Sequence, residues 1–215
     1  MNFDVDYSLA LVTDRTLMST NTLEEAVEQG ILGGCTMIQL REKAVSSQEF
    51  YRLAQAVREI TKRHAVPLII NDRTDIAMAV NAEGVHIGQD DLPVPVVRGL
   101  IGRNKLLGVS VTTEAQAVRA EAEGADYLGV GAMFATGTKT DADLVPMEEL
   151  DRIREAVTIP VVVIGGISRK TAKLFAGSGI AGFAVVSDIL MQKDIEGAAR
   201  ELAGLFHAEI KSAPK

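Results

Sequence analysis

Short apolar runs alternate with amphipathic stretches along the whole chain. The runs are nearly continuous in hydrophobic character, which is typical of strands buried on both faces. They lie at Leu9–Val12, Met37–Leu40, Leu68–Asn71, Gly84–Ile87, Leu106–Ser110, Tyr127–Gly131, Val161–Ile164 and Gly182–Val186. Strands that alternate with helices in this way predict a parallel sheet, and eight such units can close into a (β/α)₈ barrel.

The stretches between the strands have the apolar spacing of helices. The clearest is Ser47–Arg63, where Phe50, Leu53, Val57 and Ile60 share one face. The other predicted helices are Leu23–Leu32, Asp75–Val80, Pro93–Ile101, Glu114–Glu123, Pro146–Ala156, Arg169–Ala176 and Ile195–Phe206. The fold class is therefore predicted to be α/β, a single TIM barrel.

The length of the chain limits what can be added to that barrel. With 215 residues it is near the short end of the range for a complete barrel, which leaves little room for inserted domains. We expect one domain over residues 1–215, ordered from about 8 to 208, with a frayed tail at 209–215.

Charge and cysteine content narrow the class of protein. The chain carries 22 Lys and Arg against 29 Asp and Glu, a net charge of −7, which disfavours binding to nucleic acid. It has neither a long apolar run nor the pattern of a signal peptide. The single cysteine, Cys35, can form no internal disulfide. We therefore expect a cytoplasmic protein without a membrane partner; a homo-oligomer stays open.

Polar clusters follow the predicted strands, and a barrel brings the ends of all its strands to one rim, where its active site lies. Cations collect at these ends in spite of the acidic composition: Arg15, Arg41, Lys43, Arg73 and Lys139. An acidic protein with its positive charge at one mouth is expected to bind a small polyanion there.

Two glycines after the seventh strand predict a phosphate site. Gly165 and Gly166 let the backbone approach an anion closely, and Ser187 after the eighth strand adds further amides. The loops after strands seven and eight are the recurrent phosphate site of this fold. The alternative is a pair of tight turns without a ligand.

Two acids on neighbouring strand ends predict a Mg²⁺ site. Asp72 ends strand three and Asp91 follows strand four, with Asp90 as an alternative ligand. Mg²⁺ uses one or two carboxylates and takes its other ligands from substrate oxygens. Without a metal, the two acids would cap the helices that follow them.

Side-chain alternation on strand two places Gln39 and Arg41 on one face, toward the interior and mouth of the barrel. Arg41 then needs either a nearby acid or an anionic ligand, and Glu42, on the other side, is not expected to supply it. His86 also points inward, where a structural and a catalytic role are both open. The polar segment 134–143, which contains Lys139, has the composition of a loop that folds over phosphate oxygens.

Taken together, these clusters resemble the thiamine phosphate synthase family in sequence order over nearly the whole chain. The matching stretches are Leu11-Val12-Thr13-Asp14, Gln39-Leu40-Arg41-Glu42-Lys43, Ile70-Asn71-Asp72-Arg73, His86-Ile87-Gly88-Gln89-Asp90-Asp91-Leu92, Gly108-Val109-Ser110, Gly124-Ala125-Asp126-Tyr127, Thr136-Gly137-Thr138-Lys139 and Ile164-Gly165-Gly166-Ile167. The resemblance implies a transferase that joins hydroxymethylpyrimidine diphosphate to hydroxyethylthiazole phosphate and releases pyrophosphate.

The resemblance also implies a role for each residue of the site. Asp72 and Asp91 would hold Mg²⁺, and Arg41, Lys43, Asn71 and Lys139 would contact the diphosphate. Gln39 and Ser110 would orient the pyrimidine, and Thr136, Thr138, Gly166, Val186 and Ser187 would hold the thiazole phosphate. In this reading Lys139, Arg41, Lys43 and Ser110 are the catalytic residues.

Two other functions compete with this one. A thiazole tautomerase-like isomerase would need the phosphate site but neither a diphosphate nor Mg²⁺. A non-catalytic barrel that binds a phosphate ligand would need the glycines alone. Neither explains why Asp72 and Asp91 stand opposite Arg41, Lys43 and Lys139.

Overall fold

Eight parallel strands form a closed barrel in the computed structural model, which describes residues 5–135 and 143–211. They are β1 (Leu9–Val12), β2 (Met37–Leu40), β3 (Leu68–Asn71), β4 (Gly84–Ile87), β5 (Leu106–Val111), β6 (Tyr127–Val130), β7 (Val161–Ile164) and β8 (Gly182–Val185). Each strand pairs with the next, and β8 pairs with β1. The predicted (β/α)₈ barrel is confirmed, with strand ends within one residue of those predicted.

Helices cover the outside of the barrel. They are α1 (Leu23–Leu32), α2 (Ser47–Arg63), α3 (Thr74–Ala79), α4 (Val94–Ile101), α5 (Glu114–Glu123), α6 (Met147–Ala156), α7 (Ser187–Leu190) and α8 (Ile195–Leu205). Side chains cap four of their N-termini: Thr22 on α1, Ser46 on α2, Thr113 on α5 and Asp194 on α8. Each accepts from a free amide of the first turn, which fixes where its helix begins.

The helix predicted at Arg169–Ala176 is wrong in extent, because only a 3₁₀ turn forms, at Ala172–Phe175. The Ser168 amide donates to the Thr171 hydroxyl, and the Thr171 hydroxyl donates to the Gly166 carbonyl. Side chains that hydrogen-bond nearby backbone compete with helix formation, so the helical part of the segment is short.

Helical backbone continues beyond α8. After α8 the backbone continues as a π-helical turn, Phe206–Lys211, through the first residues of the expected frayed tail. Ile210 is buried in the core that the helices form with the sheet, and this packing holds the turn in place.

The hydrophobic core has two layers. The larger one lies between the sheet and the helices, and a smaller one fills the inside of the barrel. The inner layer includes Val12, Met37, Ile69 and Leu106. Gln39 lies two residues beyond Met37 on the same face of β2, so the interior turns polar as the strands approach their C-terminal ends.

A row of aromatic rings crosses the outer layer beside β8. Phe183 packs edge-on against Phe175, with ring centroids 5.9 Å apart, and against Phe206, at 5.3 Å. Phe183 is fully buried, whereas Leu174, next to this row in sequence, is 60% exposed. Phe183 therefore joins the sheet, the 3₁₀ turn and the C-terminal helical end.

Replacing Phe183 with alanine should lower the free energy of unfolding by about 3–5 kcal/mol, the range for deleting a buried aromatic side chain. Urea unfolding followed by circular dichroism measures this. The control Leu174→Ala should change stability by less than about 0.5 kcal/mol, as surface substitutions do. If Phe183→Ala leaves no folded protein, Phe183→Leu should give a smaller loss; equal stability of Phe183→Leu and Leu174→Ala would contradict the packing argument.

Candidate active site

The mouth of the barrel is built from the C-terminal ends of neighbouring strands. Gln39, Asn71 and Ser110 lie on β2, β3 and β5, and Asp72 directly follows β3. Asn71 pairs in register with His86 of β4, and His86 pairs with Gly108 of β5. The parallel pairing brings these residues to one end of the barrel.

Two of the predicted rim arginines, Arg15 and Arg73, each form a two-pronged ion pair with a carboxylate. Arg15 forms a two-pronged ion pair with Glu42, with Nε–Oε1 at 2.8 Å and Nη2–Oε2 at 3.1 Å. Arg73 pairs in the same way with Asp75, next but one in sequence. Arg15 and Arg73 are therefore held by partners within the protein, and of the predicted rim cations they are not the ones assigned to a ligand.

Arg41 keeps most of its hydrogen-bonding capacity for a ligand. Its backbone amide donates to the Thr13 hydroxyl at 3.0 Å, and its Nη1 lies 3.8 Å from Asp14 Oδ2. That separation is an ion pair but too long for a strong hydrogen bond. Glu42 pairs with Arg15, as the side-chain alternation on β2 predicts. The Arg41 guanidinium therefore lies at the mouth with Asp14 as a loosely held partner.

Asp72, Asp91 and Lys43 form the charged centre of the mouth. Lys43 Nζ lies 2.5 Å from Asp72 Oδ2, and the Asp72 carboxylate is close enough to Asp91 to act on its pKa. Asp91 Oδ2 accepts from the Gly88 amide at 2.7 Å, which fixes its orientation. Burial and the negative charge of Asp72 raise the pKa of Asp91, although the Gly88 amide acts in the opposite sense.

The backbone at Asp72 adopts a left-handed conformation, with φ of 63°. Aspartate is one of the few residues other than glycine that tolerate this region. The Asp72 amide donates to the His86 carbonyl at 2.8 Å, which extends the β3–β4 ladder to the turn. The turn directs the Asp72 side chain toward the carboxyl group that follows β4.

Asp72 and Asp91 fit a Mg²⁺ ion that is shared with a ligand. In the described part of the chain no three His, Cys, Asp or Glu side chains gather as a metal cluster, so two carboxylates are what this mouth offers. Two acids this close together are the donor set that Mg²⁺ takes from a protein when phosphate oxygens and water complete its shell.

A chain of hydrogen bonds runs through the barrel interior behind Ser110. His86 Nε2 lies 2.9 Å from Ser110 Oγ, and His86 Nδ1 lies 3.0 Å from Tyr127 Oη. The Gln39 side chain lies near the Tyr127 hydroxyl and acts to lower its pKa, against the larger effect of burial. Burial lowers the pKa of His86 to about 4, so the imidazole is neutral at pH 7. Burial raises the pKa of Tyr127, and its hydroxyl keeps its proton.

The sequence does not predict the part that Tyr127 plays. The signal for it is the small residues opposite the rings: a Cβ at Gly108 would overlap both Tyr127 and His86, and one at Gly129 would lie 2.9 Å from His86 Cε1. Glycines at inward positions of β5 and β6 therefore make the space for these two rings, rather than marking a nucleotide site.

Two structural features require glycine at both positions after β7, apart from the predicted binding of a phosphate. Gly165 and Gly166 have φ of 91° and 64°, a region that side chains rarely adopt. A Cβ on Gly165 would lie 2.5 Å from Ala132 Cβ, and one on Gly166 would lie 2.7 Å from Phe134 Cβ. The pair lets the segment after β6 cross closely over the β7 loop, at the mouth.

One carboxylate joins the β7 loop to the end of β8. Asp188 Oδ2 accepts from the Arg169 amide at 2.9 Å and from Arg169 Nε at 3.2 Å. Arg169 also donates to Glu201 at 2.9 Å. Since Asp188 follows Ser187 and Val186, the loops predicted to hold a phosphate are fixed to each other. The predicted residues Thr136, Thr138 and Lys139 lie outside the described residues.

Substituting His86 with glutamine should flatten the pH dependence of stability. A histidine whose folded-state pKa is depressed contributes stability that is complete above its unfolded pKa and is lost as the pH falls through its folded pKa. The window runs from the ordinary value of 6.5 down to about 4, with a loss of up to about 3 kcal/mol.

Urea unfolding of the parent protein and of His86→Gln at pH 7, 6, 5 and 4 measures this. The difference between the two proteins should shrink as the pH falls, because carboxyl groups common to both cancel. A difference that stays constant would contradict a neutral, buried His86.

Comparison with known proteins identifies the family. The family model described as "Thiamine monophosphate synthase" matches residues 9–189. The chain is 60% identical over 202 residues to a thiamine-phosphate synthase of Clostridium beijerinckii, covering 94% of this chain and 97% of that one. It is 57% identical to a thiamine-phosphate synthase of Clostridium botulinum, covering 96% and 97%.

A solved structure shows the same architecture. The thiamine phosphate pyrophosphorylase from Pyrococcus furiosus superposes with a TM-score of 0.87 at 36% identity, covering 94% of this chain and 96% of that one. In the described residues no helix is long and apolar enough to cross a membrane. The predicted enzyme class, a transferase with small-molecule substrates, is confirmed, and the chain belongs to the thiamine monophosphate synthase family.

Proposed function

We propose that this chain forms thiamine phosphate from hydroxymethylpyrimidine diphosphate and hydroxyethylthiazole phosphate at the mouth of the barrel. The observation that carries the proposal is the position of Asp72, Asp91 and Lys43. They lie close together at the end of the barrel that also carries the glycine loop of Gly165 and Gly166. The bond from the pyrimidine methylene carbon to the diphosphate oxygen breaks, and a bond from that carbon to the thiazole nitrogen forms. The electron pair of the broken bond leaves with pyrophosphate.

Asp72 and Asp91 would hold Mg²⁺ beside the diphosphate. When bound, the ion would stabilise the negative charge that collects on the departing oxygens. Lys43 neutralises Asp72. With a cation held by Asp72, the Lys43 ammonium group would be free to contact the diphosphate.

Arg41, Lys43, Asn71 and Lys139 serve the diphosphate. The loose contact of Arg41 with Asp14, at 3.8 Å, supports this assignment, because a stronger anion can displace it. Cations aimed at a developing charge act mainly in the transition state, where removing one typically costs about 10²–10³ in rate. Because the leaving group departs with its charge stabilised, the site needs no protein nucleophile.

The glycine loop and the start of α7 serve the thiazole phosphate. Gly166, Val186 and Ser187 present backbone at neighbouring strand ends, and the Arg169–Asp188 contact holds the two ends together. Thr136 and Thr138 would add hydroxyl groups to the same phosphate. Gln39 and Ser110, on the other side of the mouth, would orient the pyrimidine for attack by the thiazole nitrogen.

An isomerase or a non-catalytic binding barrel gains nothing from the pair Asp72–Asp91, so the transferase explains more of the mouth. We also place the protein in the cytoplasm. Its one cysteine, Cys35, is buried, and burial raises the pKa of its thiol to about 12, so it is unreactive and forms no internal disulfide.

The direct test is an endpoint assay. Purified protein is incubated with both substrates and Mg²⁺, and thiamine phosphate and pyrophosphate are quantified with and without EDTA. We expect equimolar products that disappear with EDTA and return with excess Mg²⁺. Folded protein that gives no product with Mg²⁺ would contradict the proposed reaction, and product that persists in EDTA would contradict the metal.

Replacing Asp72 with asparagine should weaken Mg²⁺-dependent binding of the pyrimidine diphosphate by at least about tenfold. Loss of a residue that merely orients a metal ligand already weakens metal affinity about 10- to 100-fold. Without Mg²⁺ the variant should bind the diphosphate at least as well as the parent, because Lys43 loses its carboxylate partner.

Titration calorimetry with each substrate alone, with and without Mg²⁺, separates these effects. Asp90→Asn tests the alternative ligand; because Asp90 is exposed, we expect this variant to keep the Mg²⁺-dependent binding of the parent. Affinity for the thiazole phosphate should stay within about twofold in both variants, well inside the effect of one lost hydrogen bond. Equal losses for both substrates in Asp72→Asn would overturn the assignment of Asp72 to the diphosphate side.

A further inference from the structure

The buried rings of His86 and Tyr127 lie beneath the residues that would orient the pyrimidine, and neither ring has a role in the proposed reaction. His86 and Tyr127 are both buried, and each lies near a residue assigned to the pyrimidine. His86 Nε2 lies 2.9 Å from Ser110 Oγ, and the Gln39 side chain lies near Tyr127, on whose pKa it acts. The rings therefore connect the two predicted pyrimidine contacts through the inside of the barrel.

The space for these rings is built into the sheet. Gly108 and Gly129 stand at inward positions beside them, and a side chain at either would overlap the imidazole or press on it. An apolar residue in place of His86 would have filled the barrel without any need for partners. A buried polar side chain is costly unless its hydrogen bonds are made, and both ring nitrogens of His86 make theirs.

The direction of each hydrogen bond follows from the buried Tyr127 hydroxyl. Its proton needs an acceptor, and His86 Nδ1 lies within hydrogen-bond distance of it, at 3.0 Å. We therefore assign Tyr127 as the donor to His86 Nδ1. A neutral imidazole that accepts at Nδ1 carries its proton on Nε2, which it donates to Ser110.

Ser110 is thereby left with one hydroxyl proton to give. Its Oγ accepts from His86, and its backbone carbonyl accepts from Gln89 Nε2 at 2.7 Å, which fixes the strand end. The Ser110 side chain is only half-buried, so the hydroxyl reaches the open mouth. A donor held there suits an acceptor atom, and the ring nitrogens of a pyrimidine are such acceptors.

We propose that His86 is a positioning residue, which, with its tautomer fixed by Tyr127, holds the Ser110 hydroxyl as a hydrogen-bond donor to a ring nitrogen of the pyrimidine substrate. This inference rests on the proposed function for the identity of the ring. It makes His86 a determinant of specificity for the ring and leaves the diphosphate and the metal to other residues.

The test measures how strongly each protein prefers the true ring. The ligands are the pyrimidine diphosphate and two analogues, in each of which one ring nitrogen is replaced by C–H. Binding is measured by calorimetry with Mg²⁺ and without the thiazole phosphate, so that no turnover occurs. Inorganic pyrophosphate is the reference ligand, because it lacks the ring.

Two substitutions of His86 separate its two nitrogens. An asparagine amide nitrogen can occupy the place of Nδ1, and a glutamine amide nitrogen that of Nε2, so only glutamine can still donate to Ser110. Ser110→Ala removes the donor itself. Tyr7→Phe is the control, because Tyr7 packs against Tyr127 with ring centroids 5.3 Å apart, and the substitution leaves His86 unchanged.

We expect the parent protein, Tyr7→Phe and His86→Gln to bind one of the two analogues about tenfold more weakly than the true substrate. In His86→Asn and Ser110→Ala this preference should fall to about twofold or less, while pyrophosphate affinity stays at the parent's value. If His86→Asn does not fold, Tyr127→Phe takes its place, since it releases the tautomer and should reduce the preference.

Retention of the full preference in His86→Asn, or in Tyr127→Phe where that replaces it, would overturn the proposal. So would an equal loss of ring and pyrophosphate binding, which is what a purely structural role produces. The endpoint assay judges the proposed function separately, since a protein that makes no thiamine phosphate can still be scored for its preference among the rings.

Discussion

Closure of the parallel ladder between β8 and β1 is the constraint on which the rest of the molecule depends. Leu9, Ala10 and Leu11 pair in register with Phe183, Ala184 and Val185. Five of the other six strands are as short as these two, so no pair could hold the sheet alone. Gly182 makes the closure feasible, because a side chain there would overlap the backbone at Tyr7. With the ring closed, every strand end is placed relative to all others.

A closed ring of short strands has consequences for the interior. Apolar side chains fill its first layer, but the next inward positions toward the mouth carry Gln39 and His86. The barrel can hold such groups because Tyr127 and Ser110 complete their hydrogen bonds. Tyr127 and Ser110 thus satisfy the buried polar groups, and Ser110 also reaches the mouth where the ligand would bind. The same contacts therefore serve both stability and specificity.

The sequence predicts the strands well because both faces of each are buried, which makes each apolar run unambiguous. It predicts the neighbouring positions of Asp72 and Asp91 because parallel topology alone brings the ends of β3 and β4 together. It could not predict that Arg15 and Arg73 are neutralised. Those ion pairs depend on side-chain rotamers, which the sequence pattern does not specify. From the sequence alone, Glu42 and Asp75 could equally well point into solvent.

Hydrogen bonds of hydroxyl groups account for two further features that the sequence did not predict. The segment Arg169–Ala176 has helical spacing, yet Ser168 and Thr171 take up the backbone groups that would begin a helix. The link between His86 and Tyr127 spans 41 positions in sequence and crosses the barrel, so no local pattern encodes it. Its trace in the sequence is indirect, in Gly108 and Gly129, whose lack of a side chain is intelligible only once the rings are known.

The contact between Arg169 and Asp188 bears on the entropy of ligand capture. It fixes the loop after β7 to the turn after β8 during folding, through two hydrogen bonds to a single carboxylate oxygen. Whatever conformational freedom these segments lose is lost before a ligand arrives, so it does not subtract from the affinity for that ligand. A phosphate group that enters between them meets a preorganised wall.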